Sequence, residues 1–348
     1  MGIDFRLIWF DSFGAKSSCT LVKTPDLSIL IDPGIAVMQP SFPATPEMKA
    51  QWVLEGRNAI IKASKKVNCI VISHYHWDHF LPRELNIYEG KVLFVKNPNE
   101  YINDSQRDRA LNFYSNLWRK FGGGSIGFRK QEKNVFKDVA DELRSVRRDF
   151  GDYNERRKEL LEKGKKWFLK RVDKWRKWKI IPEVKLKDLK IIYPESREFK
   201  FGRTKLQFTP PLFHGIEYSR VGWVFSTIVK YGDEKLIHSS DLNGPIIEDY
   251  ADFIVQKKPT YLILDGPMTY MLGYMFNLIN FRRVMDNVKR IIEKVDFKLM
   301  IWDHHLPREG RFRKRTKEVW ELAKKLKKNL LTAREHEFGE KPVVELLI

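Results

Sequence analysis

Residues 67–79 constrain this chain more than any other stretch. Val67-Asn68-Cys69-Ile70-Val71-Ile72 is a short, branched apolar run with the length of a buried strand, and Ser73-His74-Tyr75-His76-Trp77-Asp78-His79 follows at once. Residues two apart in an extended backbone point the same way, so His74 and His76 share a direction, while Asp78 and His79 reach back from the turn beyond. One loop therefore offers donors to two metal pockets. Neutral imidazoles and a carboxylate suit zinc, or less selectively iron or manganese, and a short loop leaves coordination positions open for water. The competing reading, a polar loop whose histidines cap the next helix, does not account for H-x-H-x-D-H directly after a strand.

Further stretches carry the same kind of chemistry: Leu30-Ile31-Asp32-Pro33-Gly34, Pro210-Pro211-Leu212-Phe213-His214-Gly215, His238-Ser239-Ser240-Asp241-Leu242-Asn243-Gly244-Pro245, Leu264-Asp265-Gly266-Pro267 and Trp302-Asp303-His304-His305-Leu306. With them the chain resembles the metallo-β-lactamase superfamily and, within it, a mainly archaeal family of predicted metal-dependent hydrolases. The resemblance covers nearly the whole chain except roughly residues 123–189. It implies an α/β, four-layer αββα sandwich formed by residues 1–122 and 190–348, while the residue pattern of 123–189 predicts a basic helical hairpin inserted between core strands.

The same resemblance implies two divalent ions, zinc first, with iron or manganese as alternatives. His74, His76 and His214 would hold one ion; Asp78, His79 and His304 the other; Asp241 would bridge them. His304 is preferred to His305 because the superfamily's last ligand comes just beyond its strand. Asp32 would stand behind the site and orient a ligand histidine, although an Asp-Pro-Gly carboxylate can also cap its own turn. Asp265, at a strand end, would belong to the outer site; His238 reads as a residue of the core or of the outer site, not a ligand. Asp78 would also orient the attacking water, and His305 would give a proton to the leaving group.

Between these motifs the pattern predicts an opening hairpin over 5–10 and 18–23, helices over 50–64, 100–121, 281–294 and 312–328, and strands over 91–95, 189–193, 205–209, 222–231, 235–238, 261–264 and 298–302. In 123–189, apolar residues at Phe136, Val139, Leu143, Val146 and Phe150 predict a first helix. Asp152 and Glu155 offer a capping box for a second, carrying Leu160, Leu161, Trp167, Phe168, Val172, Trp175 and Trp178. The loop from Met268 to Phe276, rich in methionine and aromatics, either walls a pocket or packs on the core. Glu217, Ser219 and Arg220 follow His214 closely enough to meet a substrate; Arg220 suits an anionic group or a structural ion pair equally.

Charge is distributed unevenly. The net charge is +19, and residues 129–179 hold 19 Lys and Arg against 10 Asp and Glu, while 306–330 hold 10 against 3. Such a field attracts nucleic acid or another polyanion, though Lys- and Glu-rich helices are also simply solvated faces, and tryptophans at helical spacing more often pack than stack on bases. No run of about 18 apolar residues spans a membrane, and Met1-Gly2-Ile3-Asp4-Phe5-Arg6 leads straight into a strand-like segment, so a cytoplasmic protein with no membrane partner is expected. Cys19 and Cys69 sit in apolar contexts as buried thiols, too few for a disulfide framework or a cysteine zinc site.

The expected function is hydrolysis, with a hydroxide held between two ions as the nucleophile, and the basic balance favours a phosphoester or other anionic substrate. A small-molecule thioester or lactone hydrolase is the alternative, as is a nucleic-acid-binding protein with structural metals. Seven candidate ligands argue against the last, because structural zinc sites close on four.

Overall fold

The computed structural model describes residues 2–133 and 135–348; Met1, the first residue of the expected strand-like start, and Asn134, within the expected insertion, lie outside the described residues. The first sheet is built from β1 (Asp4–Phe10), β2 (Ser18–Lys23), β3 (Ser28–Ile31), β4 (Cys69–Ile72), β5 (Val92–Val95), β6 (Val184–Leu186) and β7 (Leu189–Ile192). Their order is β1-β2-β3-β4-β5-β7-β6, with β3, β4, β5 and β7 parallel. The second sheet starts with β8 (Glu198–Phe201) and β9 (Thr204–Phe208); a two-stranded ribbon of β10 (Leu212–Phe213) and β11 (Trp223–Val224) stands off it. β12 (Thr227–Tyr231), β13 (Glu234–His238), β14 (Tyr261–Asp265), β15 (Leu299–Asp303) and β16 (Leu330–Leu331) complete it in the order β16-β15-β14-β13-β12-β9-β8.

Alternation along the central strands explains the layering. In β4, Cys69 and Val71 face the second sheet and pack with Phe208, Val229, Leu236, Ile263 and Ile301. Ile70 and Ile72 face the other way, toward α1 (Pro46–Ser64) and α2 (Asp104–Leu117). Both faces of β4 are buried, which is why its sequence is uninterruptedly apolar. Thr45 caps α1 by accepting from Met48 N at 3.3 Å, with Pro46 opening the helix, and Asn103 caps α2 by accepting from Gln106 N at 2.9 Å. After α3 (Asn154–Lys177), the helices α4 (Glu248–Lys257), α5 (Leu278–Lys294), α6 (Phe312–Arg315) and α7 (Lys317–Lys325) cover the outer face of the second sheet through residues such as Ile254, Val288, Ile291, Phe312 and Val319. The result is the expected αββα sandwich, with α8 (Ala333–Phe338) and α9 (Val343–Leu346) after β16.

Several expected elements differ. The helix expected through Phe136 and Phe150 does not form: 139–147 makes two 3-10 turns, Val139–Glu142 and Arg144–Arg147. Asp249 captures the Arg144 and Ser145 amides at 2.8 and 2.9 Å, so the backbone bonds across to α4 instead of along itself. The Asp152/Glu155 capping box is absent. Asp152 lies in a turn ending at Tyr153, and Asn154 Oδ1 instead accepts from Phe150 N at 2.8 Å. The strand expected over 222–231 breaks into β11 and β12 where Ser226 turns to Thr209 and Ser239. The helix expected over 312–328 breaks at Thr316, whose hydroxyl bonds Phe312 O at 2.8 Å.

The basic stretch grips the molecule through its aromatic face. Phe168, Val172 and Trp175 of α3 pack with Phe213, Tyr218, Trp223 and Tyr250. Trp175 is fully buried and Trp167 stacks on Trp223 at 5.4 Å, so these rings belong to a core. Leu160 and Leu169 remain exposed. Beyond α3, β6 joins the first sheet by pairing with β7.

Candidate metal centre

The parallel strands of both sheets deliver their C-terminal ends to one seam, the position where open α/β sheets present their chemistry. β3 ends at Asp32, β4 at Ser73 and the histidine loop, β13 just before Asp241, β14 at Asp265 and β15 at Asp303. Asp32, Tyr218, Ser240, Asn243, His304 and His305 all have positive φ, a conformation that non-glycine residues hold only when surrounding contacts impose it. Gly34 is required on other grounds: a Cβ there would collide with the backbone amides of His79 and Phe80.

Six of the eight histidines converge here. His74, His76, His214 and Asp241 place one donor atom each within 4.8 Å of one another, as do Asp78, His79 and His304, and as do Asp241, His304 and His305. Asp241 is the hub. Its Oδ2 lies 3.1 Å from His214 Nε2, 3.2 Å from His79 Nε2 and 3.4 Å from His74 Nε2, while Oδ1 lies 3.4 Å from His304 Nε2. Asp78 approaches His79 at 3.9 Å and His304 at 3.8 Å. His76 Nδ1 is 2.9 Å from His74 Nε2. His79 Nε2, His214 Nε2, His304 Nε2 and Asp241 Oδ1 are buried without a hydrogen-bond partner, since their mutual approaches are not aligned as hydrogen bonds. Buried nitrogens and a carboxylate oxygen without partners, gathered around a common centre, fit a metal ion, which would satisfy them once the rings lose their protons.

The supporting residues fix the rings. Asp32 accepts from Ser73 N and Ser73 Oγ, each at 2.7 Å, and meets His79 Nδ1 at 3.0 Å. Ser73 Oγ also lies 3.0 Å from His74 Nδ1. Behind His304 stands Asp11, 2.9 Å from its Nδ1; Asp11 also accepts from His305 N at 2.8 Å and pairs with Arg308 Nε. Asp303 accepts from Ser12, His304 and Ala333 amides, tying β15 to α8. Gln106 accepts from Tyr75 N at 3.0 Å and donates to Val221 O at 2.8 Å, joining the histidine loop to the His214 loop. Asp265 accepts from Leu242 and Asn243 amides at 3.1 and 2.7 Å and comes within 3.4 Å of His305 Nδ1. His238 is buried and meets Ser18 O at 3.0 Å; it joins none of the donor groups.

Electrostatics divide the histidines. Burial, then the positive neighbour His79, pushes His74 well below its usual range; burial, then His214, brings His76 down to about 3. These rings are neutral, as ligands must be. Burial opposes charge on His79 as well, but Asp241 and Asp32 override it and raise its pKa to about 10, and Asp11 with Asp241 raises His304 in the same way. Asp241 is held far down despite burial by His79 and His304. Asp265 is pushed well up by burial and by Asp241, and Asp303 to about 6 by burial and Asp11. A pocket that stabilises extra protons on His79 and His304 is one that favours cations there.

The centre opens into a cavity of about 610 Å³. His76, Asp78, His214, Asp241 and His305 form its floor; Ile216, Val221, Met268, Met275 and Phe276 form much of its wall, so the Met-rich loop does border the pocket. Arg220 and Ser219 reach it, whereas Glu217 does not: it is buried between Arg157 and Arg283 at 2.9 and 2.8 Å. Sequence reading missed Asp11, Gln106 and Arg308. Asp11 follows a strand as Asp32 does, which was its one legible signal; Gln106 and Arg308 carry none.

A family model described as the metallo-beta-lactamase superfamily matches residues 14–81. Over those residues the chain carries a metallo-beta-lactamase domain, with which its two-sheet sandwich and its strand-end donor groups agree. A UPF0282 protein of Korarchaeum cryptofilum is 30% identical over 335 residues, 96% of this chain and 88% of the relative. Another from Methanocaldococcus jannaschii is 30% identical over 317 residues, covering 88% and 85%. The chain belongs to the UPF0282 family. Among solved structures it is similar to the Bacillus subtilis metallo-beta-lactamase fold protein YhfI, at 12% identity and TM-score 0.43 over 95% of each chain. It is also similar to Igni18, a metallo hydrolase of Ignicoccus hospitalis, at 12% and 0.39 over 98% and 96%.

Proposed function

We propose that this chain is a metal-dependent hydrolase with a dinuclear centre, acting on an ester that carries a negative charge. His74, His76 and His214 would hold one divalent ion, Asp78, His79 and His304 the other, and Asp241 both; zinc suits the donor set, with iron or manganese as alternatives. The observation that carries the reading is the pair of donor groups on either side of Asp241, with orphaned nitrogens aimed between them. His304 is favoured over His305 because Asp11 fixes its Nδ1 and leaves Nε2 toward Asp78 and Asp241. Ions bound there would acidify water and polarise a carbonyl or phosphoryl oxygen.

The chain's own groups supply the rest. Asp78 lines the cavity and can orient water beside the donors. His305 also lines it, and burial with the Arg308 and His304 charges holds its ring neutral. A neutral His305 accepts a proton from water and returns it to the leaving oxygen, so both proton movements use one ring. Two buried, unpaired thiols suit a reducing, cytoplasmic location.

The test is elemental analysis of protein purified without chelator, beside a hydrolysis screen of bis-p-nitrophenyl phosphate, a thioester and a lactone. About two divalent ions per chain and turnover support the reading. Less than one ion, unrecovered on reconstitution, overturns it. His305→Ala should lower kcat with metal content unchanged; an unchanged kcat removes His305 from the chemistry.

A further inference from the structure

Two cations at the cavity are not explained by the donor groups. Lys16, in the turn between β1 and β2, lines the cavity with Asp78 and Arg308, and among the described residues its ammonium has no hydrogen-bond or ion-pair partner. It is also largely withdrawn from water, and burial, then the neighbouring Arg308 charge, lowers its pKa against the smaller pull of Asp78 and Asp11. A half-desolvated ammonium without a partner is costly unless a ligand supplies the anion. Arg308 stands beside it, 4% exposed. Its Nε is engaged by Asp11 and its Nη1 by Tyr270 Oη at 3.3 Å. Its Nη2 is buried with no hydrogen bond, 3.6 Å from Asp78 Oδ2 but unaligned with it. One guanidinium donor without a hydrogen bond, in a loose ion pair with Asp78, and one ammonium without a close partner therefore line the same cavity, where Met268, Met275 and Phe276 supply apolar wall.

We propose that Lys16 and Arg308 form an anion subsite beside the metal centre, and that the substrate is a small molecule with an apolar body and a carboxylate or phosphoryl group seated on these two residues. The cation pair fixes the charged end while the methionines and Phe276 take the apolar part, which orients the molecule across the floor of the site. This deepens the hydrolase reading and rests on it for the bond that is broken. The binding claim is separable.

The experiment is isothermal titration of the metal-loaded protein with 4-phenylbutyrate, its amide and phenyl phosphate. The anions should bind about tenfold or more tightly than the amide, the worth of one charged hydrogen bond. Whichever anion binds better names the group. Lys16→Gln should abolish the preference with metal content unchanged, and Lys16→Arg should keep part of it. Equal affinity of amide and anions, or a preference that survives Lys16→Gln, overturns the proposal; the second result would mean that the anion sits on the ions themselves. Anion preference without turnover of any ester would remove the hydrolase reading and leave the subsite standing, and turnover with equal affinities would do the reverse.

Discussion

Asp11 holds the Nδ1 of His304 at 2.9 Å from 293 residues away in the chain, and through its other oxygen engages Arg308 and the His305 amide. It does for His304 what Asp32, at 3.0 Å, does for His79. Each ring is thereby fixed with Nε2 toward Asp241. Asp11→Ala should weaken the second ion by about 10–100-fold and spare the first. Titration against a chromophoric chelator reads this directly, and equal loss of both ions would show that Asp11 supports the fold and not the ligand.

Metal binding should release protons. The His79 pKa is raised to about 10 and that of His304 also lies well above its usual range, so at neutral pH both rings are protonated and an ion must displace what they carry. Affinity of the second ion should therefore rise with pH through the neutral range. Calorimetry in buffers of different ionisation enthalpy would show the release as a buffer-dependent heat; a buffer-independent heat would contradict it.

Acid should loosen the buried cluster of Glu217, Arg157, Arg283 and Glu248. Burial raises the Glu217 pKa, but Arg283 and Arg157 outweigh it and bring it from 4.5 to about 2. A depressed folded-state pKa means that the contribution, of order 3 kcal/mol, is fully present above the unfolded value near 4.5 and fades as pH falls toward 2. Urea midpoints at about pH 6 and about pH 3 should differ less in Glu217→Gln than in the native chain.

Gly164→Ala offers a sign reversal. Within an exposed helix this change gains about 1 kcal/mol, but here the added Cβ would meet the Tyr218 side chain at 2.5 Å, where α3 presses on the His214 loop. A loss of roughly 1–3 kcal/mol is expected from the overpacking. A raised melting temperature would mean that α3 stands off the loop.

The histidine motif and the strand-end aspartates were legible because their chemistry is dense and local, and β4 because both its faces are buried. Asp11 was hidden for a physical reason: its partner lies at the other end of the chain, and no periodicity in either sequence points to the other. The 139–150 stretch misled because its apolar residues do point inward, as a helix would place them. Its amides are taken by Asp249, and long-range capture of that kind leaves no local trace. The tryptophans among the cations of α3 were expected to pack more often than to stack on bases, and Trp175 does pack, against Tyr101 and Trp223.

Neither sheet owns a complete donor group. His74 and His76 follow a strand of the first sheet, His214 follows the two-stranded ribbon and Asp241 a strand of the second sheet; Asp78 and His79 wait in the same way for His304. An ion at the seam would act as a rivet between two halves that otherwise meet through a largely apolar common face and a few polar contacts such as Ser73 with Ser240 and His238 with Ser18. It would do so late, because no tight site exists until both halves have formed and docked. Holding the chain short of metal would then leave a sandwich free to breathe along the edge where the donor groups meet.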